Sequence, residues 1–427
     1  MTLLGVRETF MSRHERKEES LRLTNMWEVF ILKRNSVYCQ KNVMRSVWIA
    51  LLLACFLTVS ACAEGNVYTA DQVDQSAVDV SGTQNIVITD AFIQKTGGNA
   101  SSADAASFRG VNSAVRVYDR ATLTISNSAI EANAQNATGV FAYDGGTINI
   151  SNCTVNVTGG GAGGVQVAGG GTLYGQNLTV TSASKAAIRS DRGGGIMVLD
   201  GGTYTSTGTN GCPAIYSTAE ITVRNSECVS EQSRALIIEG MNSVTLENVT
   251  IEGNDQSTKS GSIHANVLLY QSTSGDAKEG TSVFSMTGGT MTSHSGAMFY
   301  CTNTASVINL NDAVLNLSED GTLLIVSAGR WGKDGRNGGR CTLNAEHQTL
   351  TGSITVDSIS MLSINMTESD FTGSINTEQE GGTVHVTMDE GSSWTLTADS
   401  YVTSLSGDMQ NIHANGYRLF VDGAEIL

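Results

Sequence analysis

Proline is almost absent from this chain, which has one proline, Pro213, among 427 residues. Charged residues make up only 15% of it, against a usual quarter. Disordered chains are rich in proline and charge, and collagen depends on proline, so both classes are excluded. A disulfide scaffold is excluded too, because 8 cysteines are few for so long a chain. Proline cannot donate a hydrogen bond within a sheet, so its rarity indicates a large β protein.

Basic residues are also scarce: the chain has 25 Lys and Arg residues but 41 Asp and Glu residues, which gives a net charge of −16. Residues 1–62 hold 9 basic and 5 acidic residues, so the rest of the chain holds 16 and 36, for a net charge of −20. A surface this acidic repels phosphate groups. Nucleic acid is therefore excluded as a partner, and anionic lipid surfaces are disfavoured.

The N-terminal part contains one long run without charge, SVWIALLLACFLTVS at 46–60, preceded by Lys41 and Arg45. Basic residues before an apolar run of this length are typical of a signal peptide. The run is at the short limit for spanning a bilayer, so a transmembrane anchor is the weaker alternative. Because Met44 begins a complete signal by itself, residues 1–43 are either an upstream extension from a misplaced start or a cytoplasmic stub.

Two cleavage sites compete at the end of this run. The sequence ACA at 61–63 has the small-residue pattern of ordinary signal peptidase. The sequence VSAC at 59–62 resembles the bacterial lipobox, which implies a lipid on Cys62 and cleavage just before it. The lipobox is favoured because it lies at the end of the apolar run. Residues 44–62 are therefore the predicted signal peptide of a membrane-anchored lipoprotein at the cell surface. Secretion as a free protein is the alternative.

An internal repeat of about 24 residues is the strongest pattern in the chain. Each repeat has an apolar anchor, with further characteristic residues two, four and seven positions later. Six successive anchors are separated by 25, 25, 24, 24 and 23 residues: Leu123, Ile148, Leu173, Met197, Ile221 and Val244. With insertions, the pattern continues outward from Ile86, Phe284, Ile308 and Ile364.

Each repeat is predicted to contain three short β segments, since another apolar segment precedes most anchors by about eight residues, as in Ala187-Ile188-Arg189. The residue four positions after the anchor is Asn or Asp in seven repeats and Gly in two. These residue types tolerate left-handed (αL) backbone angles. The pattern predicts an αL bend at this position and a ladder of stacked asparagine amides, in which Asn152 lies between Asn127 and Asn177.

Three strands per coil, a coil of about 24 residues and an Asn ladder resemble the right-handed parallel β-helix of pectate lyases and many surface proteins. The predicted fold is therefore an all-β, right-handed parallel β-helix solenoid, with its handedness taken from the resemblance and from the general rule for parallel crossovers. It covers residues 66–393, and residues 394–427 form final coils and a C-terminal cap. The sequence style of residues 66–427 is similar to adhesin-like surface proteins of gut bacteria.

Cysteine and histidine show no metal-binding spacing. Cys228 takes a position where other repeats have Ile or Val, and Cys153 follows a ladder asparagine, so both are predicted to fill the core. Five cysteines after the signal region, without a CxxC motif, argue against a zinc site or a full disulfide framework. The histidines lie in different coils. No metal site and no cofactor are predicted.

Acidic residues at the turns before the anchors support an alternative, enzymatic hypothesis. Asp119, Asp144, Asp191 and Glu239 occupy comparable places in the repeats. Carboxylates one coil apart match the spacing in retaining glycosidases and could share calcium. A polysaccharide lyase or glycoside hydrolase, with Asp119, Asp144 and Asp191 as catalytic candidates, is the alternative. Turn formation is the favoured explanation, because Asp forms turns readily and the motifs of polygalacturonases are absent.

Two segments, 252–282 and 327–340, lengthen their coils and are candidate recognition loops. The second, SAGRWGKDGRNGGR, carries the predicted ligand-binding residues Arg330, Trp331, Lys333, Arg336 and Arg340. Exposed Trp with Arg can stack on a sugar ring and hold an acidic glycan, although a flexible surface loop is the competing interpretation. The predicted function is a non-catalytic surface protein that contacts an extracellular glycan or another surface protein.

We expect Cys62→Ser to abolish lipid labelling and to release the protein from membrane fractions, because the lipid is attached through that thiol. Labelled fatty acid incorporation and membrane fractionation measure this. The control Cys55→Ser lies inside the apolar run and should leave both results unchanged. Wild-type protein that stays in the membrane fraction without any lipid label would contradict the lipoprotein prediction.

Overall fold

The computed structural model describes residues 65–379 and 381–427. The predicted signal peptide, the lipobox that ends at Cys62 and residues 1–43 lie outside the described residues. In the part that is described, no helix is both long enough and apolar enough to cross a bilayer.

The strands form because apolar and polar residues alternate along them. In Thr122–Ser126 and Thr147–Ser151, the apolar residues are buried while the intervening Thr, Asn and Ser are partly exposed. Successive coils keep this alternation in step, since Leu123 pairs with Ile148 and Ile148 pairs with Leu173 in parallel strands. Apolar side chains therefore stack on apolar side chains along the interior, and the core runs through the coils.

Sheet 1 has 20 parallel strands and contains two of the three segments of each regular coil, one on either side of the ladder residue. In three coils the two segments form one continuous strand. The strands are Val67–Ala70, Asn85–Thr89, Phe92–Lys95, Thr122–Ser126, Ala129–Ala132, Thr147–Ser151, Thr154–Val157, Gly171–Ser182, Gly195–Thr209, Glu220–Gln232, Ser243–Glu247, Thr250–Gly253, Thr281–Thr287, Thr290–Ser293, Ala305–Asn311, Val314–Asn316, Arg340–Glu346, Met361–Thr367, Thr383–Met388 and Ser404–Ser406.

Sheet 2 has 14 parallel strands and contains the segment that precedes each anchor. At about 4.8 Å per strand, this sheet extends about 60 Å. Its strands are Val78–Val80, Val115–Val117, Val140–Tyr143, Val165–Ala168, Ile188–Ser190, Ile215–Ser217, Leu236–Glu239, Ala265–Tyr270, Ala297–Thr302, Thr322–Val326, Thr349–Val356, Asp370–Ile375, Ser393–Leu396 and Ile412–His413. The predicted all-β parallel β-helix is confirmed.

The remaining elements are short. A third sheet of Ser400–Val402, Leu419–Val421 and Ala424–Glu425 ends in an antiparallel pair near the C-terminus. A 3-10 helix spans Met409–Asn411. An α-helix at Ala103–Arg109, which the repeat pattern did not predict, begins after the N-cap Ser102 and ends at Gly110 in αL geometry.

The asparagine ladder forms as predicted. All ten residues four positions after an anchor have positive φ, from 47° to 72°: Asp90, Asn127, Asn152, Asn177, Gly201, Asn225, Asn248, Gly288, Asp312 and Glu368. The Asn152 amide donates to Asn127 Oδ1 at 3.5 Å, and the Asn177 amide donates to Asn152 Oδ1 at 3.3 Å. Gly201 interrupts the ladder, so Asn225 donates to Asp200 instead, at 2.8 Å.

The sequence pattern did not predict the coil of Leu343. Leu343 pairs with Ile308 on one side and Ile364 on the other, and is therefore an anchor. The residue four positions later is His347, which takes the αL bend at φ 49°. His347 takes the place of the Asn, Asp or Gly found at this position in most repeats, so the sequence pattern did not indicate this coil.

We expect Asn152→Val to lower the free energy of unfolding by about 1–3 kcal/mol, because valine is strained in αL geometry and breaks two amide hydrogen bonds. Asn152→Gly removes the bonds without the strain and should cost less. The control Asn149→Val makes the same change at an outward strand position, where valine is well accommodated. Urea unfolding measures all three. Equal losses for valine and glycine at residue 152 would contradict the role of the bend.

Candidate functional site

The outward-facing residues of sheet 2 form a column, and towards the C-terminal coils this column becomes apolar and aromatic. Parallel register places six of these residues side by side in successive strands: Arg189, Tyr216, Ile237, Leu268, Tyr300 and Ile325. Outward side chains of a bare sheet would be exposed. Ile237, Leu268 and Tyr300 are nevertheless buried, so other parts of the chain cover this stretch.

Two loops provide the cover. Segment 252–282 is not one insertion, because the sheet 2 strand Ala265–Tyr270 lies within it. The loop that precedes this strand is 254–264. Loop 327–339 follows the strand Thr322–Val326. Ile263 from the first loop and Trp331 from the second pack against the outer apolar cluster of sheet 2. Both candidate recognition loops therefore meet the same column.

A buried ion pair fixes the first loop. Arg234 lies 3.1 Å from Asp255, and their side chains are only 8% and 1% exposed. Arg234 also donates to the backbone carbonyl of Ile263 at 2.6 Å. The Thr258 N–H donates to Asn210 Oδ1 of an earlier coil at 3.2 Å. Since a buried charge is stable only when it is paired, the pair holds loop 254–264 to the sheet.

A groove with a volume of about 440 Å³ lies between this loop, the turns of earlier coils and Trp331. Its basic lining residues are Lys185, Arg189, Arg234, Lys259 and Arg330, and its acidic lining residue is Asp255. Its aromatic lining residues are Tyr216, Tyr270, Tyr300 and Trp331. Five of the sixteen basic residues that follow residue 62 therefore line one groove on an acidic protein.

The five cations differ in their pairing. Arg234 pairs with Asp255, and Arg189 pairs with Asp191 at 2.8 Å. Within the described residues, the other three have no carboxylate oxygen within 4.0 Å: Lys185, Lys259 and Arg330. An anion entering the groove would therefore meet cations that form no ion pair with a carboxylate in the described part of the chain.

Lys185 is the most constrained of these cations. It is partly buried, and its ammonium group donates to Ser107 Oγ of the helix Ala103–Arg109 at 2.7 Å. Burial, together with the nearby charge of Arg189, lowers the pKa of Lys185 to about 8. Lys185 is still mostly charged at neutral pH, and within the described residues its hydrogen-bond partner is a neutral hydroxyl rather than a carboxylate.

Two tyrosines of the groove share one buried carboxylate. The Tyr270 hydroxyl donates to Glu239 Oε2 at 2.8 Å, and the Tyr216 hydroxyl donates to the same oxygen. Ser272 donates to Glu239 Oε1. Burial raises the pKa of both tyrosines, and the charge of Glu239 adds to the effect, so both hydroxyls remain donors. This network fixes the two rings in position.

Trp331 joins the aromatic part of the groove. Its ring centroid lies 5.3 Å from that of Tyr270, with the planes tilted by 42°. The Arg330 guanidinium lies over the indole at 4.5 Å. The side-chain amide of Asn337 donates to the backbone carbonyls of Gly329 and Trp331 at 2.8 and 2.9 Å. Trp331 is thus half-buried and held by its loop.

The structure separates the five residues predicted to bind ligand. Arg330 and Trp331 line the groove. Arg340 begins a strand of sheet 1 and lines a different depression. Lys333 and Arg336 are exposed on the loop and line neither of these cavities.

The predicted catalytic carboxylates do not share one environment. Asp119 is half-buried and Asp144 is exposed, and both lie at turn positions with φ of 52° and 48°, which suits a turn-forming role. Asp191 is 2% exposed and paired with Arg189. None of these carboxylates lines the groove. Among the described residues there is no group of three or more His, Cys, Asp and Glu side chains suited to hold a metal ion.

Most of the groove was not predicted from the sequence. Arg189 and Tyr216 each end an apolar segment that the repeat pattern identified, so aligning the outward positions of the repeats could have revealed the column. Lys185 lies just outside that alignment, and Lys259 lies in a loop with no repeat equivalent. Nothing in the local sequence marks Lys185, whereas Lys259 lies within segment 252–282, which the sequence analysis identified as a candidate recognition loop.

Comparisons with protein-family models, with curated proteins and with solved structures found no match to this chain. The resemblance to pectate-lyase-like and adhesin-like proteins therefore stays a prediction. The function has to be inferred from the chemistry of the groove.

We expect Lys185→Met to stabilise the protein at pH 7, because it removes a partly buried charge. The folded pKa of about 8 lies below the usual lysine value, so the wild type gains stability as pH rises from 7 to 9.5. The difference between variant and wild type should shrink by about 1 kcal/mol over that range, less than the full linkage value because the side chain is partly exposed. Urea unfolding at several pH values measures it. A difference that does not change with pH would contradict the assigned environment of Lys185.

Proposed function

We propose that this protein is a non-catalytic cell-surface protein that binds an anionic glycan in the groove on sheet 2. The observation that carries the proposal is a group of three cations beside a set of aromatic rings. Among the residues that the structure describes, these cations have no carboxylate oxygen within 4.0 Å: Lys185, Lys259 and Arg330. Export and surface attachment rest on the predicted signal peptide and on Cys62.

Electrostatics favours a negatively charged ligand at this place. The chain after residue 62 carries a net charge of −20, which repels anions from most of its surface. The groove lining has five basic residues and one acidic residue. An anion would also give the charge of Lys185 the partner that it lacks, so binding would offset part of the cost of burying it.

The aromatic residues and the size of the groove favour a sugar. The partly exposed rings of Tyr216 and Trp331 combine an apolar face with a polar tip, and such faces pack against the C–H surface of a sugar ring. A volume of about 440 Å³ lies within the range of small-ligand sites. It suits a short segment of an oligosaccharide that carries carboxylate or sulfate groups.

A polysaccharide lyase or glycoside hydrolase is the second candidate. Its support is Lys185, because a pKa of about 8 suits a general base at slightly alkaline pH. The carboxylates proposed for catalysis, Asp119, Asp144 and Asp191, do not line the groove. Calcium held by these three would therefore lie outside the groove, so binding without turnover is the better-supported function.

The first experiment is a glycan array that compares uronate-containing, sulfated and neutral oligosaccharides, with product release measured in parallel on the acidic polysaccharides. We expect acidic glycans to bind without new reducing ends or unsaturated products. Binding restricted to neutral glycans would overturn the proposal. Accumulating products would establish the enzymatic alternative.

We expect Lys185→Met combined with Arg330→Met to weaken binding of the acidic glycan at least tenfold, about 1.4 kcal/mol, because both unpaired cations face the groove. The control Lys333→Met combined with Arg336→Met removes the same charge from exposed positions outside the groove and should change the affinity less than about threefold. Titration calorimetry measures both. If the control pair weakens binding as much as the groove pair, recognition lies on the outside of the loop.

A further inference from the structure

Two thiols face each other inside the coils. The Sγ atom of Cys301, in the sheet 2 strand Ala297–Thr302, lies 3.5 Å from the Sγ atom of Cys341, in the sheet 1 strand Arg340–Glu346. Cys301 is 0% exposed and Cys341 is 3% exposed. The pair therefore joins the two sheets across the interior.

The other described cysteines have different surroundings. Cys153 Sγ donates to the Ser151 carbonyl at 3.1 Å, and Cys212 Sγ donates to the Ser184 carbonyl at 2.6 Å. Cys228 packs in the apolar core. Of the five thiols in the described part of the chain, Cys301 and Cys341 are the two that contact each other.

We propose that Cys301 and Cys341 form a disulfide bond in the exported protein. A disulfide has an S–S distance of about 2.0 Å, so the sulfurs must approach by about 1.5 Å, shared between two side chains. Each thiol gives up a proton and an electron. These reduce the disulfide of an oxidant, either a small-molecule disulfide or a dithiol oxidoreductase, to two thiols. The predicted signal peptide directs the chain to a compartment where such oxidants act.

The burial of the pair indicates when the bond forms. Burial raises the pKa of the Cys301 thiol well above its usual value, and the neighbouring Cys341 thiol adds to the effect. The reactive thiolate is therefore scarce in the folded, reduced protein, and a bulky oxidant cannot reach it. Oxidation should take place as the coils close, and the finished core then protects the bond.

The bond would tie both ends of the segment that carries Trp331. Cys301 precedes loop 327–339 in the chain, and Cys341 follows it. The strand Ala297–Thr302 also carries Tyr300 of the groove. Closing this segment restricts the unfolded chain and so stabilises the folded one. The inference about the bond does not depend on what the groove binds.

The test uses the protein refolded with oxidised glutathione and, separately, the protein exported through its own signal. Free thiols are alkylated under denaturing conditions, and peptides are mapped by mass spectrometry without reduction. We expect one linked peptide pair, Cys301 to Cys341, and alkylation of the other three described cysteines: Cys153, Cys212 and Cys228. Alkylation of all five, or a different linked pair, would overturn the proposal.

Thermal unfolding gives a second measurement. Wild type that is reduced while unfolded and refolded in reductant should melt about 5 °C below the oxidised wild type. The control Cys153→Ser should keep this sensitivity, and Cys301→Ser combined with Cys341→Ser should lose it. A wild type whose melting temperature is unaffected by reductant would count against the bond. If the double variant does not fold, the peptide map of the wild type still decides.

Discussion

The rest of the structure depends on hydrogen bonding in register from each coil to the next. Because each residue pairs with its equivalent one coil away, as Leu123 does with Ile148, any property that the sequence repeats becomes a column in space. Inward columns form the core, and outward columns form the surfaces. A slip of one residue would exchange the inward and outward faces of a strand. The αL bend at the ladder position therefore fixes the register of the coils as well as turning the chain.

The groove arises where loops are added without disturbing that register. Loops 254–264 and 327–339 join strands at turns, so the strands of sheet 2 remain paired while the outward column between them is covered. Covering the column buries polar groups, and most of these are satisfied: Arg234 by Asp255, and the two tyrosines by Glu239. Lys185 is partly buried and has no carboxylate oxygen within 4.0 Å among the described residues, which is consistent with the proposed binding of an anionic ligand.

The fold could be predicted from the sequence because its determinants are local and repeated. Alternating apolar residues and a bend residue every 24 or so positions specify strands and corners. The pattern did not predict the coil of Leu343, where His347 takes the bend, or the coil of Val386, which pairs with Ile364. The groove could not be predicted in the same way, since its residues come from several coils and two loops. Only Arg330 and Trp331 were found, because they are adjacent in a conspicuous segment. The spacing of Asp144 and Asp191 suggested equivalence, but their burial differs because Arg189 pairs with Asp191 alone.

The central claim is that unpaired cations in the groove select a negatively charged glycan. It is tested most directly by titrating the protein with an acidic oligosaccharide and with the same oligosaccharide after its carboxylates have been reduced to alcohols, at about 0.05 M and 0.5 M salt. The acidic form should bind at least tenfold more tightly at low salt, and this advantage should shrink at high salt. Equal affinity for the two forms, or a preference that salt does not change, would contradict the account.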